Sequence, residues 1–114
     1  MRSVRDRNFR KTVLRVYEER CAITGLRLIN GGGRAEVQAA HIRPVEYNGP
    51  HIITNGMALS GTAHWMFDRG LVSLSNDFEI LISRQTNDVD AVRMMINDTG
   101  HLIGPPKASE RPRH

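Results

Sequence analysis

The chain has 114 residues, of which 39% are apolar and 25% charged, and this composition fits one globular domain with a modest core. No segment approaches the ~18 consecutive apolar residues that a membrane span requires, and the N-terminal segment is too charged for a secretory signal. A single cysteine, Cys21, excludes an internal disulfide and a multi-cysteine zinc site, so no structural zinc is expected. We therefore expect a cytoplasmic protein that has no membrane partner.

The net charge of +4 is concentrated at the two ends of the chain. Residues 1–20 carry seven basic and three acidic side chains, residues 21–104 carry six and eight, and residues 105–114 carry three and one. Basic ends on a slightly acidic body suit contacts with the phosphates of a nucleic acid. A solvated arginine-rich helix face and a charged tail explain the same pattern, so charge alone leaves nucleic-acid binding open.

The first part of the chain predicts a helix and then a strand. Apolar residues at i, i+4, i+7 and i+8 predict an amphipathic helix over about residues 6–20, with arginines on its other face. These apolar residues are Phe9, Val13, Val16 and Tyr17. Residues 36–42 predict a strand that stops at Pro44, which lacks a backbone donor, and an irregular loop follows over residues 43–54.

The middle of the chain predicts a second strand and a second helix. Asn55 to Leu59 is short and apolar enough to pair back on the first strand. Ser60 is a favourable helix N-cap and Gly70 a favourable C-terminal stop, so a helix is predicted over about residues 61–69. Trp65 and Phe67 within it are expected to lie in the core.

The last part of the chain predicts a hairpin, a third helix and a tail. Apolar and polar residues alternate over 71–75 and 79–83 around an Asn-Asp turn, and residues 88–97 have helical apolar spacing. The chain thus predicts an α+β fold with residues 1–104 as one domain. Residues 105–114, which are rich in proline and poor in apolar groups, are predicted to be a flexible tail or a truncation point.

His64 and Asp68 lie four residues apart on the predicted helix. At this spacing the two side chains share one helix face, with their Cβ atoms ~5–6 Å apart, and an imidazole and a carboxylate can then bind one divalent cation. The alternatives are a hydrogen-bonded core histidine, and a surface pair of Asp68 with Arg69 or Arg84. A carboxylate in the last turn of a helix opposes the macrodipole at about 0.3–1 kcal/mol, which favours a functional role for Asp68.

His41 and Asn55 are the other candidate functional residues. His41 follows two alanines at the end of the first predicted strand, and a neutral imidazole with a pKa near ~6.5 can take a proton from water. A half-buried histidine bonded to a loop carbonyl is the alternative. Asn55 precedes Gly56, and Asn-Gly alone indicates a turn.

Three blocks of sequence occur in a characteristic order. They are Ala40-His41-Ile-Arg-Pro44, Asn55-Gly-Met-Ala-Leu59 and Ala63-His64-Trp-Met-Phe-Asp68-Arg-Gly70. Together they resemble the HNH nuclease family, and more narrowly its restriction-type and phage subgroup, whose signature is AHI-P…NG--L…H--FDRG. The segment from Phe9 to Gly25 resembles the same subgroup, so the resemblance covers about residues 5–83.

The resemblance implies a ββα-metal core over about residues 36–70, with an N-terminal helix, an added β-hairpin and a C-terminal helix around it. In this family the strand histidine, matched by His41, activates water for attack on a DNA phosphodiester, and the loop asparagine, matched by Asn55, orients that histidine. The helix histidine, matched by His64, binds the metal ion, and Asp68 matches a second helix ligand. The metal stabilises charge on the phosphoryl and leaving oxygens.

The expected cofactor is therefore a divalent ion, foremost Mg²⁺ or Mn²⁺, although histidine and carboxylate ligands also accept Zn²⁺ or Ni²⁺. Arg43 and Arg69 flank the implied site, and their guanidinium groups suit the phosphates of DNA, with Arg69 also a candidate partner of Asp68. The sequence leaves open whether the protein nicks DNA or cuts both strands. It also leaves open whether the protein is a homodimer and whether the chain is part of a larger protein.

The chain departs from the family pattern at Ala40, where many HNH enzymes have a further metal ligand. One consequence is a site of two protein ligands that binds metal weakly without DNA. Another is that His41 itself ligates the metal and a different group acts as base. A third is that the chain is an HNH-fold DNA-binding module with a degenerate, inactive site.

Overall fold

The computed structural model describes residues 4–43 and 53–112, so most of the irregular loop expected over residues 43–54 lies outside the described residues. The described chain has an α+β architecture of three helices and two antiparallel hairpins, as the sequence predicts. The elements are α1 Val4–Val16, β1 Gln38–His41, β2 Gly56–Leu59, α2 Gly61–Asp68, β3 Val72–Leu74, β4 Ile80–Ile82 and α3 Val89–Met95. None of the helices found in residues 4–43 and 53–112 is long and apolar enough to cross a membrane.

The β1–β2 hairpin lies between α1 and α2. Its register pairs Gln38 with Leu59 and His41 with Gly56. Because side chains alternate along a strand, His41 and Gly56 face one side of the hairpin and Gln38 faces the other. The ring of Phe9 in α1 stacks on His41, whereas Gln38 is bonded to a side chain of α2. The two helices therefore cover opposite faces of the same two strands.

Helix α1 buries the face that the sequence predicts. The apolar stripe consists of Phe9, Val13 and Val16, and Tyr17 follows the helix directly. All four residues are less than a tenth exposed. The helix ends at Val16, earlier than predicted, because Glu18 and Glu19 adopt left-handed backbone angles with φ of 55° and 59°. The stripe packs on β1 and β2 and forms the core together with Met57 to Leu59.

Helix α2 begins and ends close to the predicted positions. The Ser60 hydroxyl accepts a hydrogen bond from the Ala63 amide at 3.4 Å, and the Glu36 carboxylate accepts one from the Gly61 amide at 2.6 Å. These two bonds satisfy donors that a helix N-terminus otherwise leaves unpaired. Trp65 is 50% exposed, so its predicted core position is wrong, because the short helix turns Ala63 and Met66 inward instead.

Strands β3 and β4 form the predicted hairpin, and α3 packs against β4. Asp88 caps α3 by accepting from the Ala91 amide at 3.0 Å. Beyond α3, Pro105 is buried and its carbonyl accepts a hydrogen bond from Arg111 Nε at 2.7 Å, next to a short 3-10 turn at Ala108–Glu110. The domain boundary at residues 104 and 105 stays a prediction.

Candidate active site

His64 and Asp68 lie on one open face of α2, as their spacing predicts. His64 Nε2 is 3.4 Å from Asp68 Oδ2. The His64 side chain is 25% exposed and that of Asp68 57%, so both side chains are at least partly open to solvent. The carboxylate faces the imidazole, as required if the two side chains are to bind one cation together.

Gln38 on β1 determines which nitrogen of His64 is available. Its Oε1 lies 2.6 Å from His64 Nδ1. An amide oxygen only accepts hydrogen bonds, so a hydrogen bond between these two atoms has Nδ1 as its donor, and Nε2 is the ring nitrogen that faces Asp68. Metal-binding histidines characteristically donate a hydrogen bond from the N–H of their second ring nitrogen. Sequence reasoning missed Gln38 because it lies 26 residues before His64 in no recognisable motif.

The donor set of this face fits a divalent ion. A separation of 3.4 Å allows Nε2 and Oδ2 to reach one ion with bonds of about 2.1 Å each. Within residues 4–43 and 53–112, no group of three or more His, Cys, Asp and Glu residues is arranged to hold a metal. In that part of the chain the donor set is therefore a pair, and water or substrate oxygens would complete the coordination.

His41 lies at the end of β1 on the side of α1. Its half-buried ring stacks face to face on Phe9, with ring centroids 4.3 Å apart and planes 2° from parallel. Gly56, its partner across the hairpin, makes room for this contact: a Cβ there would lie 2.5 Å from Val13 Cγ2 and 2.9 Å from Phe9 Cζ. The Phe9–His41 contact joins residues 32 positions apart, and the helical periodicity of Phe9 indicated only a core residue.

Asn55 fixes the backbone directly after His41. Its buried side chain accepts a hydrogen bond from the Arg43 amide and donates one to the Arg43 carbonyl, both at 3.0 Å. Its main-chain carbonyl accepts from the Ile42 amide at 2.9 Å. Asn55 therefore does more than form the turn indicated by Asn-Gly, since it ties the end of β1 to the start of β2.

Tyr17 supports the same end of the hairpin from α1. Its hydroxyl donates a hydrogen bond to the Gly56 carbonyl at 2.8 Å. Burial raises the pKa of the Tyr17 phenol well above its ordinary value of 10.0. The neutral phenol is thus a buried donor that holds β2 against α1. The residue that it holds, Gly56, is the partner of His41 in the strand register.

The two candidate arginines are exposed. Arg43 has its backbone bonded to Asn55, and it lines a groove together with that residue. The guanidinium carbon of Arg69 lies 4.5 Å from the centre of the Trp65 ring, in a cation–π contact next to Asp68. The structure thus brings His64 together with Asp68 and Asn55 together with Arg43, and it places His41 on the opposite face of the hairpin from His64.

Two antiparallel strands followed by a helix are the core arrangement that the resemblance to HNH nucleases implies. Residues 21–75 of the chain match the family model described as HNH endonuclease. The resemblance to the HNH endonuclease family that the sequence motifs predict is therefore confirmed, and α1 lies before the matched segment.

The fold also has a solved counterpart. The chain is similar to a structure described as a modification dependent TagI restriction endonuclease, with a TM-score of 0.66 and 23% sequence identity. The likeness covers 92% of this chain and 33% of that one, so this chain spans a third of the length of the matched structure. At this identity the likeness shows the fold. No curated protein matches the sequence.

Proposed function

We propose that this chain is a metal-dependent endonuclease that hydrolyses phosphodiester bonds of DNA. The observation that carries the proposal is the histidine–carboxylate pair on α2, with Nδ1 of His64 bonded to Gln38 and Nε2 directed to Asp68. A polar pair that served stability alone would gain little at this exposure. The match to a family of endonucleases supports the same activity.

In this proposal His41 takes the proton of the attacking water. Its ring has one face against Phe9, and the Asn55 bonds hold the backbone that follows it, so its position is set before substrate binds. A prepositioned general base contributes about 10²–10⁴-fold to the rate of such a reaction. We propose this role for His41 in preference to that of a third metal ligand.

His64 Nε2 and Asp68 Oδ2 are the atoms that would hold the divalent ion, for which we propose Mg²⁺ or Mn²⁺. When bound, the ion supplies positive charge to the phosphoryl and leaving oxygens. In this proposal Gln38 accepts a hydrogen bond from Nδ1 of His64, so that Nε2 is the nitrogen left to bind the ion. Arg43 and Arg69 are proposed to contact DNA phosphates, for which the planar guanidinium is well suited.

A restriction role fits the description of the structural neighbour as a restriction endonuclease, and we propose it as the setting of the activity. A second function, a DNA-binding module with an inactive site, is favoured by the pair of ligands found among the described residues, where many HNH enzymes use more. Ala40 stands where the additional ligand would be expected. The two proposals differ in whether a bound metal leads to cleavage.

The deciding experiment follows supercoiled plasmid during incubation with Mg²⁺, Mn²⁺ or EDTA. We expect metal-dependent nicking or linearisation by the wild-type protein and a loss of about 10²–10⁴-fold in rate for His41→Ala. The matched control is His101→Ala, which removes an exposed histidine from the chain after α3 and should cleave at the wild-type rate. Plasmid retardation without cutting in every metal would instead support the binding module.

A further inference from the structure

The solvent side of helix α2 carries a tryptophan next to the candidate metal ligands. Trp65 is 50% exposed. The buried side of the helix is formed by Ala63 and Met66 instead. Because residues three and four positions apart are neighbours on a helix surface, Trp65 lies beside both Asp68 and Arg69. Trp65 is therefore part of the same open surface as the proposed metal-binding carboxylate.

Arg69 lies over the ring of Trp65 and keeps its charge unpaired by a carboxylate. Its guanidinium carbon is 4.5 Å from the ring centre. Asp68 faces His64, and among the residues that the structure describes none forms an ion pair with Arg69. A cation–π contact involves no oxygen acceptor, so it leaves the N–H donors of the guanidinium available. The exposed Arg69 side chain can thus bind an anion while it remains on the ring.

The contact with Trp65 prepares Arg69 for such an anion. An exposed arginine has many rotamers, and a ligand that binds it must restrict them. Trp65 already holds the guanidinium over its ring, so less freedom is lost when an anion binds. Arg69 is also the C-cap of α2, where a cation interacts favourably with the helix dipole. That position accounts for a positive charge, but it does not require an aromatic partner.

The order of groups around α2 matches the order of groups along a DNA strand. Around the solvent side of the helix, the cation-binding pair is followed by the aromatic ring of Trp65 and then by the guanidinium of Arg69. A DNA strand has a phosphate, then a largely apolar deoxyribose, then the next phosphate. A phosphate at the metal pair is therefore followed by a sugar at Trp65 and a second phosphate at Arg69.

We propose that Trp65 and Arg69 together hold the DNA strand beside the phosphate that is cut. Arg69 binds the neighbouring phosphate. Trp65 positions Arg69 and packs its open surface against the deoxyribose between the two phosphates. This assignment rests on the proposed function, and it adds Trp65 to the residues that hold the substrate.

The fluorescence of the protein tests the contact directly. Trp65 is the only tryptophan in the sequence, so the tryptophan emission comes from this residue alone. Acrylamide quenching of the wild-type protein is measured with and without a short DNA duplex in EDTA, so that no cleavage occurs. We expect saturating duplex to shield Trp65 and lower the quenching constant. An unchanged constant, when the anisotropy of a labelled duplex shows that it is bound, would overturn the assignment.

Trp65→Leu tests the role of the aromatic ring. The variant keeps an apolar side chain of good helix propensity, and its melting temperature should change little because the position is half exposed. Duplex affinity should fall about 2- to 5-fold, as for loss of an exposed cation–π contact, and the KM for plasmid cleavage should rise by the same factor. Trp65→Phe, which keeps a ring, should bind like the wild type. Full affinity in Trp65→Leu would contradict the proposal.

Salt dependence separates the two residues. Arg69→Gln should reduce the slope of log affinity against log salt by about one phosphate contact, whereas Arg84→Gln, which removes an exposed arginine beyond β4, should not. Trp65→Leu should lower affinity at an unchanged slope, because the charge remains. In the Arg69→Gln background the loss from Trp65→Leu should be smaller, since no cation is left to position. Fully additive losses, or an unchanged slope in Arg69→Gln, would overturn the assignment.

The same measurements distinguish this inference from the proposed function. A wild-type protein that neither binds the duplex nor cuts plasmid would refute the proposed function, and the Trp65 assignment with it. Plasmid cutting with a wild-type KM in Trp65→Leu would refute the assignment alone. Quenching that falls with rising protein concentration in the absence of DNA would show that the surface binds a second copy of the chain, and this result would also overturn the assignment.

Discussion

The two faces of the β1–β2 hairpin differ in what holds their functional side chains. On the α1 face, His41 is held by packing, because its ring lies on Phe9 and its partner across the hairpin, Gly56, leaves no spare space. On the α2 face, His64 is held by polar contacts with Gln38 and Asp68 that remain partly open to solvent. The same two strands thus position the proposed base by apolar packing and the proposed metal ligands by hydrogen bonds.

This difference has a direct consequence for mutation. A change on the α1 face should alter stability and activity together, because the same contacts hold the core and orient His41. A change on the α2 face should alter metal affinity at nearly constant stability, since exposed polar pairs contribute little to folding. The predictions that follow test this contrast, beginning with the largest expected effect.

Gly56→Ala should be the most damaging single change on the α1 face. The added methyl group would lie 2.5 Å from Val13 Cγ2 and would displace Phe9 from His41. Overpacking of this kind costs about 1–3 kcal/mol of unfolding free energy, and we expect plasmid cleavage to fall as well. Urea denaturation and the plasmid assay measure the two effects.

Gly31→Ala is the matched control for this change, because nothing lies within 4 Å of the added atom. It should leave stability and cleavage unchanged. If Gly56→Ala were destabilised but cleaved at the wild-type rate under folding conditions, orientation of His41 would not depend on the α1 face, and the contrast between the faces would be lost.

Gln38→Leu tests the α2 face. Loss of the bond to Nδ1 frees His64 to change tautomer, and removal of such a supporting partner typically lowers metal affinity by about 10–100-fold. Isothermal titration with Mn²⁺ measures the affinity, and nitrogen chemical shifts of the His64 ring report the tautomer in the metal-free protein. The unfolding free energy should change little, because Gln38 is exposed.

Gln38→Glu is the conservative counterpart, since a carboxylate also accepts from Nδ1. It should keep the wild-type tautomer of His64. It should also bind Mn²⁺ at least as tightly as the wild type, whereas Gln38→Leu should bind it more weakly. Equal affinity of the wild type and Gln38→Leu, with an unchanged ring spectrum, would show that Gln38 does not position His64.

Local signals explain what the sequence predicts correctly. Periodic apolar residues identify the buried face of α1, and Ser60 and Gly70 define the ends of α2 to within one residue, because caps and stops act on the nearest turn. The spacing of His64 and Asp68 predicts their shared face for the same reason. Each of these features is encoded within about four residues of chain.

The features that the sequence misses depend on distant or unusual contacts. Gln38 and Phe9 gain their roles only when β1 meets α2 and α1, and no local pattern marks either residue. The premature end of α1 and the left-handed angle of Phe78 are set by the turns that the surrounding fold imposes. Trp65 lies outside the core because α2 is too short to bury more than one face.

Tyr17→Phe should produce the smallest effect near neutral pH and the most distinctive pH dependence. Loss of the buried bond to the Gly56 carbonyl should lower the unfolding free energy by about 0.5–1.5 kcal/mol. Because burial raises the pKa of the folded phenol, the unfolded chain loses this proton first as the pH rises. The contribution of Tyr17 is therefore complete below about pH 10 and declines by about 1.4 kcal/mol per pH unit above it.

Urea titrations of the wild type and Tyr17→Phe from pH 8 to about pH 11.5 measure this dependence. The difference in stability between the two proteins should shrink above about pH 10 and then reverse, since the phenylalanine variant has no proton to lose at this position. A constant difference across the range would mean that the Tyr17 phenol ionises as readily in the folded chain as in the unfolded one. The α1 face would then be open to water, and packing alone would not account for the position of His41.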